Sequence, residues 1–355
     1  MYKSLRAQTL HYFARPHERV PSEPLKLPAA WRGAEMRKRG DWRVQLSTAE
    51  IQELKSAVQH AQTTGKPLGE LSKQDFPLPT LAARIDAWRH EIRHGRGFVL
   101  IRGVPVQDWS DAQSSICYWC FGHYLGIPGA QNPQGDLLGH VRDQQTNADV
   151  RFYRTNKNIA VHCDAADIVG LLCLQPAKSG GLSRIASSVA VYNELLRRKP
   201  QLAPRLFKPF YFDTKGEGGI KAFPIAPCAY ADGELRTFWQ SDYYRSASQH
   251  KHVPQLTGEE QELLDAYDAI AESEEFYLDM ELQPGDIQLL SNHSMLHART
   301  AFEDWPEPER RRHLLRLWIS LPEKRPLKTR LQIAQSWAGL FYTSTKEILR
   351  NRLAA

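Results

Sequence analysis

The sequence predicts an α+β protein, on two observations that recur along the chain. Short apolar runs rich in β-branched residues, bounded by glycine, proline or aspartate, read as strands, and longer stretches with apolar residues three and four apart read as helices. Strands are expected at 97–104, 158–164, 286–290 and 311–319, with helices before and between them. At 355 residues, 42% apolar and 24% charged, the chain is long enough to bury a substantial core.

Residues 1–45 are rich in proline and arginine, carry Trp31 and Trp42, and read as an N-terminal leader. Ser47 and Glu50 have the spacing of a capping box, so a helix is expected from there to about residue 61. A second helix, 80–94, precedes the glycine-led strand at Gly97. A third lies within 104–125 and contains Cys117-Tyr-Trp-Cys120. Its aromatic surroundings favour buried structural thiols over a redox pair or half a zinc site. The five cysteines are an odd number in a chain without an export signal, which argues against a disulfide framework. Residues 126–160 form a long stretch containing glycine and asparagine, and Val189, Tyr192, Leu195 and Leu196 mark an amphipathic helix over 187–198. The section 200–275 reads as an insertion with a helix near 257–271. In the C-terminal tail, 326–355, Leu331, Ala334, Trp337, Leu340 and Phe341 share one helical face. Such a face is covered either by the same chain or by a second copy, which would make a homo-oligomer.

The chemistry concentrates in two places. His162, Cys163 and Asp164 sit in an extended segment, where residues two apart point the same way, so the histidine and the aspartate reach one point while Cys163 turns aside. His297 follows 133 residues after the aspartate, with His293 competing for the same role. Two imidazoles and one carboxylate on one face of a metal are the donor set of non-haem Fe(II) oxygenases. Beyond them, strand alternation puts Arg312, Leu314, Arg316 and Trp318 on one face. Two arginines facing a core require anions there. Asn158 shares the parity of His162 and Asp164, and is read either as a site residue or as a polar group satisfied by backbone. Tyr153 and Trp239 are further candidates for lining the pocket.

With these features the chain resembles the taurine dioxygenase and clavaminate synthase group of Fe(II)/2-oxoglutarate-dependent dioxygenases. The resemblance is carried by His162-X-Asp164, Gly180-Gly181-Leu-Ser183, Asn292 followed by Leu296-His297-Ala-Arg299-Thr, the Arg312-X-X-X-Arg316 strand and the strand led by Gly97. These blocks cover roughly residues 95–320 in the family's order. The resemblance implies a distorted double-stranded β-helix (jelly-roll) core with flanking and inserted helices, within a dioxygenase domain over 46–325. It implies Fe(II) on His162, Asp164 and His297, and 2-oxoglutarate as cosubstrate with its distal carboxylate on Arg312. Ser183 would assist, standing where relatives place a threonine. Arg316 would bind an anionic group on the substrate, with Asn158 as the second substrate-binding candidate, and His293 would be structural. The implied reaction oxidises an unactivated C–H bond of a small, anionic organic molecule and releases succinate and CO2. The alternative, a catalytically silent jelly-roll binding protein, has no need of three metal ligands together with a dicarboxylate clamp. Zinc-dependent hydrolysis would leave Arg312 and Ser183 without a task.

The net charge of +6 comes from scattered basic residues, so the expected partners are a small-molecule substrate and O2 rather than nucleic acid. No run of about 18 apolar residues is present, so no membrane span is expected. The N-terminal residues lack the apolar core of a secretory signal, so the expected location is cytoplasmic.

Overall fold

The computed structural model describes residues 2–143, 156–215 and 221–322. The tail over 326–355, and with it the expected self-association surface, lies outside the described residues, as does Tyr153. The main helices are α1 (Leu5–Phe13), α2 (Thr48–Thr63), α3 (Leu81–His94), α4 (Asp111–Leu125), α5 (Ser188–Arg198) and α6 (Gly258–Ala271). The main strands are β1 (Arg43–Gln45), β2 (Phe98–Arg102), β3 (Ile127–Gly129), β4 (Gly139–Val141), β5 (Ile159–His162), β6 (Ile168–Gln175), β7 (Ser183–Ser187), β8 (Tyr277–Met280), β9 (Ile287–Ser291), β10 (Met295–Arg299) and β11 (His313–Ser320). Helices and sheets are mixed in the α+β manner that the sequence predicts.

The strands form two principal sheets. The larger runs β1-β2-β9-β6-β11-β3, with β4 also paired to β11, and the smaller runs β8-β7-β10-β5. The pleat of the larger sheet separates two cores. Val99, Ile101, Leu172, Leu289, Leu315 and Leu317 face α2, α3 and α4 in one apolar cluster. Phe98, Leu100, Val169, Cys173, Leu314 and Trp318 face the other way, into a cluster shared with Ile185, Leu278, Met295 and Leu296 of the smaller sheet. This is period-two alternation expressed in three dimensions. It places Arg312 and Arg316, which share the parity of Leu314 and Trp318, toward the second sheet.

Local chemistry sets the frame. The Ser47 hydroxyl accepts the Glu50 N–H at 3.3 Å and the Glu50 carboxylate accepts the Ser47 N–H at 2.8 Å, the capping box expected from the sequence. Gly285 has φ +84°, and a Cβ there would lie 2.0 Å from the Val104 carbonyl oxygen, so the Pro284-Gly285-Asp286 turn requires glycine. Asp286, fully buried, accepts two 2.8 Å bonds from the Arg102 guanidinium and ties this turn to the end of β2. All five cysteines are free and buried, and burial pushes the Cys120 thiol up to about 12, as suits packing residues rather than reactive ones.

The leader and the insertion both pack into the core. The leader does not stand apart: Tyr12, Trp31, Met36 and Trp42 are buried in the core shared by the two sheets, and β1 pairs in parallel with β2. The insertion is likewise part of that core. It holds antiparallel hairpins at Phe210–Asp213 with Ala222–Ile225 and Cys228–Ala231 with Glu234–Thr237, followed by α6, which packs on α5. Trp239, a candidate pocket residue from sequence, is fully buried instead. It stacks on Tyr267 at 3.9 Å and its indole N–H donates to Asp268 at 2.7 Å.

A pH dependence follows from α4. His123 is 9% exposed beside Trp119, and burial, assisted by the positive Lys73, holds its pKa down at about 4. The unfolded chain takes up this proton near pH 6.5 and the folded chain only near 4, so the contribution is complete above pH 6.5 and is lost as pH falls toward 4. A shift of that size corresponds to about 3 kcal/mol. His123→Phe is expected to flatten the fall in melting temperature between pH 6.5 and 4. Parallel profiles for the two proteins would remove His123 as the cause.

Candidate active site

β5 and β10 are neighbours in the smaller sheet, and His162 and His297 are directly opposed residues on them. Opposed side chains lie on one face of a sheet, so the two rings meet, with centroids 4.1 Å apart. Asp164 lies just beyond the end of β5. Between them Cys163 turns away as expected, its thiol directed to the Met295 carbonyl at 3.5 Å. Its backbone is fixed from the insertion, the N–H donating to the Trp239 carbonyl at 2.8 Å and the carbonyl accepting from Gln240 Nε2 at 3.0 Å. One donor atom from each of His162, Asp164 and His297 lies within 4.8 Å of the other two.

Each of these groups is held in the form a metal needs. His162 Nδ1 faces the Ala160 carbonyl at 2.9 Å, so Nδ1 carries a proton and Nε2 is the nitrogen left to ligate. The Asp164 N–H donates to Asn292 Oδ1 at 3.2 Å. Asp164 Oδ2 accepts from Trp318 Nε1 at 2.8 Å and Arg316 Nη1 at 3.4 Å, and lies 3.8 Å from His297 Nε2. Burial pushes the Asp164 carboxyl up, but the Arg316 charge, the two histidines and the Trp318 bond outweigh it, leaving the pKa at about 2. Burial, then the neighbouring His162, lowers His297 to about 3. At neutral pH the carboxylate is therefore ionised and the His297 imidazole neutral, the protonation states of metal ligands.

Arg312 is 3% exposed, and its guanidinium makes no side-chain hydrogen bond or ion pair among the described residues; its Nη1 is buried without a partner. Its position is set by its own backbone N–H, which donates to Asp304 Oδ1 at 2.7 Å, and by the Phe302 ring 5.2 Å away. Burial lowers its pKa to about 10, so it stays charged. Gly181, at φ +66°, lies against it: a Cβ there would be 3.1 Å from Arg312 Nε. A buried cation whose guanidinium makes no ion pair among the described residues, with a glycine beside it and only the negative charge of Asp304 nearby among them, fits an anion. Ser183 is buried on β7, its hydroxyl donating to Gln288 Oε1 at 2.8 Å.

The remaining candidates fall differently. Arg316 is committed within the protein, to Asp164 and, through Nε, to Gln131 Oε1 at 3.1 Å. Asn158 does not share the inner face: it is exposed and precedes β5, and the β5–β10 register shifts between His297 and Arg299, so Arg299 opposes Ile159 and the simple parity count fails. His293 belongs to another network. It contacts Asp167 Oδ1 at 2.8 Å and stacks on Tyr12 at 4.7 Å, while His11 of α1 contacts Asp167 Oδ2 at 2.8 Å. Three contributors escaped the sequence reading. Gln288 has a signal, a lone polar residue in an apolar strand. Gln131, in a stretch without periodicity, has none. Trp318 was placed on the right face, but its bond to Asp164 is tertiary.

Comparison with known proteins places the chain in a family. Residues 64–318 match the family described as "Taurine catabolism dioxygenase TauD, TfdA family". The chain is 30% identical over 327 residues to the FR-33289 synthase of Streptomyces rubellomurinus, covering 88% of this chain and 95% of that protein. It is 31% identical over 308 residues to the taurine hydroxylase-like protein SAT17 of Stachybotrys chartarum, covering 81% of this chain and 77% of that protein. Among solved structures, an asparagine oxygenase in complex with Fe(II), 3-hydroxyasparagine and succinate superposes with a TM-score of 0.65 at 16% identity, covering 79% of this chain and 93% of that one. The non-haem iron oxygenase OrfP in complex with Fe and α-ketoglutaric acid gives a TM-score of 0.60 at 15% identity, covering 79% and 94%.

Proposed function

The chain belongs to the TauD/TfdA family of dioxygenases, and from that premise we propose that it oxidises an unactivated C–H bond of a small, anionic organic molecule. It is an Fe(II)- and 2-oxoglutarate-dependent dioxygenase. The two facing sheets are read as a distorted double-stranded β-helix. The observation that carries the assignment of the site is the convergence of donor atoms from His162, Asp164 and His297 to within 4.8 Å of one another.

Iron and 2-oxoglutarate, when bound, would let O2 act as the oxidant, 2-oxoglutarate giving up two electrons as it is converted to succinate and CO2. The chain's residues bind and orient. His162 and His297 present neutral nitrogens and Asp164 an ionised oxygen. Arg312 takes the distal carboxylate of the cosubstrate, and Ser183 turns its hydroxyl from Gln288 to the same group. Arg316 is the candidate for an anion on the substrate: its 3.4 Å contact to Asp164 is longer than its 3.1 Å bond to Gln131 and exchanges for an external carboxylate or similar group. Asn158, exposed ahead of β5, is the second candidate for contacting the substrate. The insertion grips the Cys163 backbone and so fixes the segment that carries His162 and Asp164.

Anaerobic titration with Fe(II), with and without 2-oxoglutarate, tests this reading. Visible charge-transfer absorption that requires both components is expected, and in air a panel of small carboxylates and related anions should include one that couples succinate formation to its own oxidation. Iron binding with no response to 2-oxoglutarate would instead indicate the silent binding protein.

A further inference from the structure

Trp318 stands out because its one polar atom is spent on a metal-ligand candidate. It is 5% exposed on β11, and its indole N–H reaches Asp164 Oδ2 at 2.8 Å. The other donor to that oxygen, Arg316, is 3.4 Å away, divides its guanidinium between Asp164 and Gln131, and lies over the Trp318 ring at 4.4 Å. The two donors differ in kind. An indole offers a single N–H on a rigid ring packed in the core, so it holds one oxygen in one place. A guanidinium has several N–H groups on a long stem and can change acceptors. Both donors meet Oδ2, the oxygen that also lies 3.8 Å from His297 Nε2, so the two oxygens are held unequally.

We propose that Trp318 is a positioning residue for the metal site, fixing Asp164 through Oδ2 so that the carboxylate offers iron a single oxygen and keeps that pose when Arg316 turns to another anion. The inference rests on the assignment of Asp164 as an iron ligand. Groups that orient a ligating side chain set metal affinity although they never touch the metal.

Trp318→Phe keeps a ring and removes the N–H. Fe(II) affinity, measured anaerobically on the metal-free protein, should fall roughly 10- to 100-fold, and the charge-transfer absorption with 2-oxoglutarate should shift as the carboxylate changes pose. Leu314→Ala is the packing control: Leu314 lies on the same face of the same strand, is 1% exposed, and has no bond to the ligands. It should lower the melting temperature of the metal-free protein and leave Fe(II) affinity within about twofold of wild type, since only packing is lost. Native iron affinity and spectrum in Trp318→Phe would overturn the proposal, and so would an equal loss of affinity in Leu314→Ala. If Trp318→Phe does not fold, the wild-type protein carries the test: the Trp318 indole N–H resonance should move when diamagnetic Zn(II) is added, and a stationary resonance would overturn the proposal. Failure of the broader assignment has a separate signature, the absence of an Fe(II)- and 2-oxoglutarate-dependent band in wild type.

Discussion

Alanine at His162, Asp164 or His297 is expected to cut Fe(II)- and 2-oxoglutarate-dependent turnover by at least roughly 1,000-fold, the scale seen when one member of an interdependent catalytic set is removed. Folding should survive. The cores on either side of the larger sheet are closed by apolar side chains from both sheets, the leader and the helices, and neither requires a metal to close it. Circular dichroism and melting of the metal-free variants check this. His293→Ala is the informative comparison, because it is the other histidine on the same segment. It bonds to Asp167 and stacks on Tyr12, so its loss should lower stability while iron binding persists. Iron binding abolished by His293→Ala and retained by His297→Ala would reverse the assignment of the distal ligand.

What the sequence revealed of this site was whatever depends on local spacing. The His162-X-Asp164 pair is legible because extended backbone puts both on one side, and the Arg312–Trp318 face because β11 holds its alternation from Leu314 to Ile319. The same logic failed at Asn158, where the register shift opposite Arg299 breaks the count between strands, an event with no local signal. Trp239 misled because an aromatic near a site and an aromatic under it look alike in sequence. The leader was read as separate because α1 pairs His11 and Tyr12 with partners far along the chain. His11 meets Asp167, and the Tyr12 hydroxyl donates to the Thr237 and Asn292 carbonyls at 3.0 and 3.1 Å. Those bonds tie the first helix to the segment carrying His293 and to Asn292, the acceptor for the Asp164 N–H. Contacts between residues more than a hundred positions apart leave no periodicity to read.

Arg312→Lys is expected to weaken 2-oxoglutarate binding by about 2–5 kcal/mol, roughly 30-fold to more than 1,000-fold in Kd, the cost of spoiling a buried, hydrogen-bonded charge pair. Three features of the site make the change severe. The guanidinium is 3% exposed, so water cannot replace a lost contact. Among the described residues its Nη1 has no partner, so a bond it makes to a ligand is not shared with them. Gly181 lets the backbone lie close to Nε, where a Cβ would come within 3.1 Å, and a lysine ammonium presents a point charge in place of the planar fork. Ser183→Ala removes one hydroxyl and should cost on the order of 1 kcal/mol. Part of that loss is already offset in the ligand-free protein, where the same hydroxyl donates to Gln288. Calorimetric titration of 2-oxoglutarate in the presence of a redox-inert divalent metal ranks the three proteins. Wild type should bind most tightly, Ser183→Ala a few-fold less and Arg312→Lys far less, with metal affinity unchanged throughout, because neither residue touches the ligand set. Equal cosubstrate affinity in wild type and Arg312→Lys would move the clamp elsewhere, and Arg299 would then be the residue to change. Arg299 is also buried, with burial and the nearby Arg312 charge lowering its pKa to about 9.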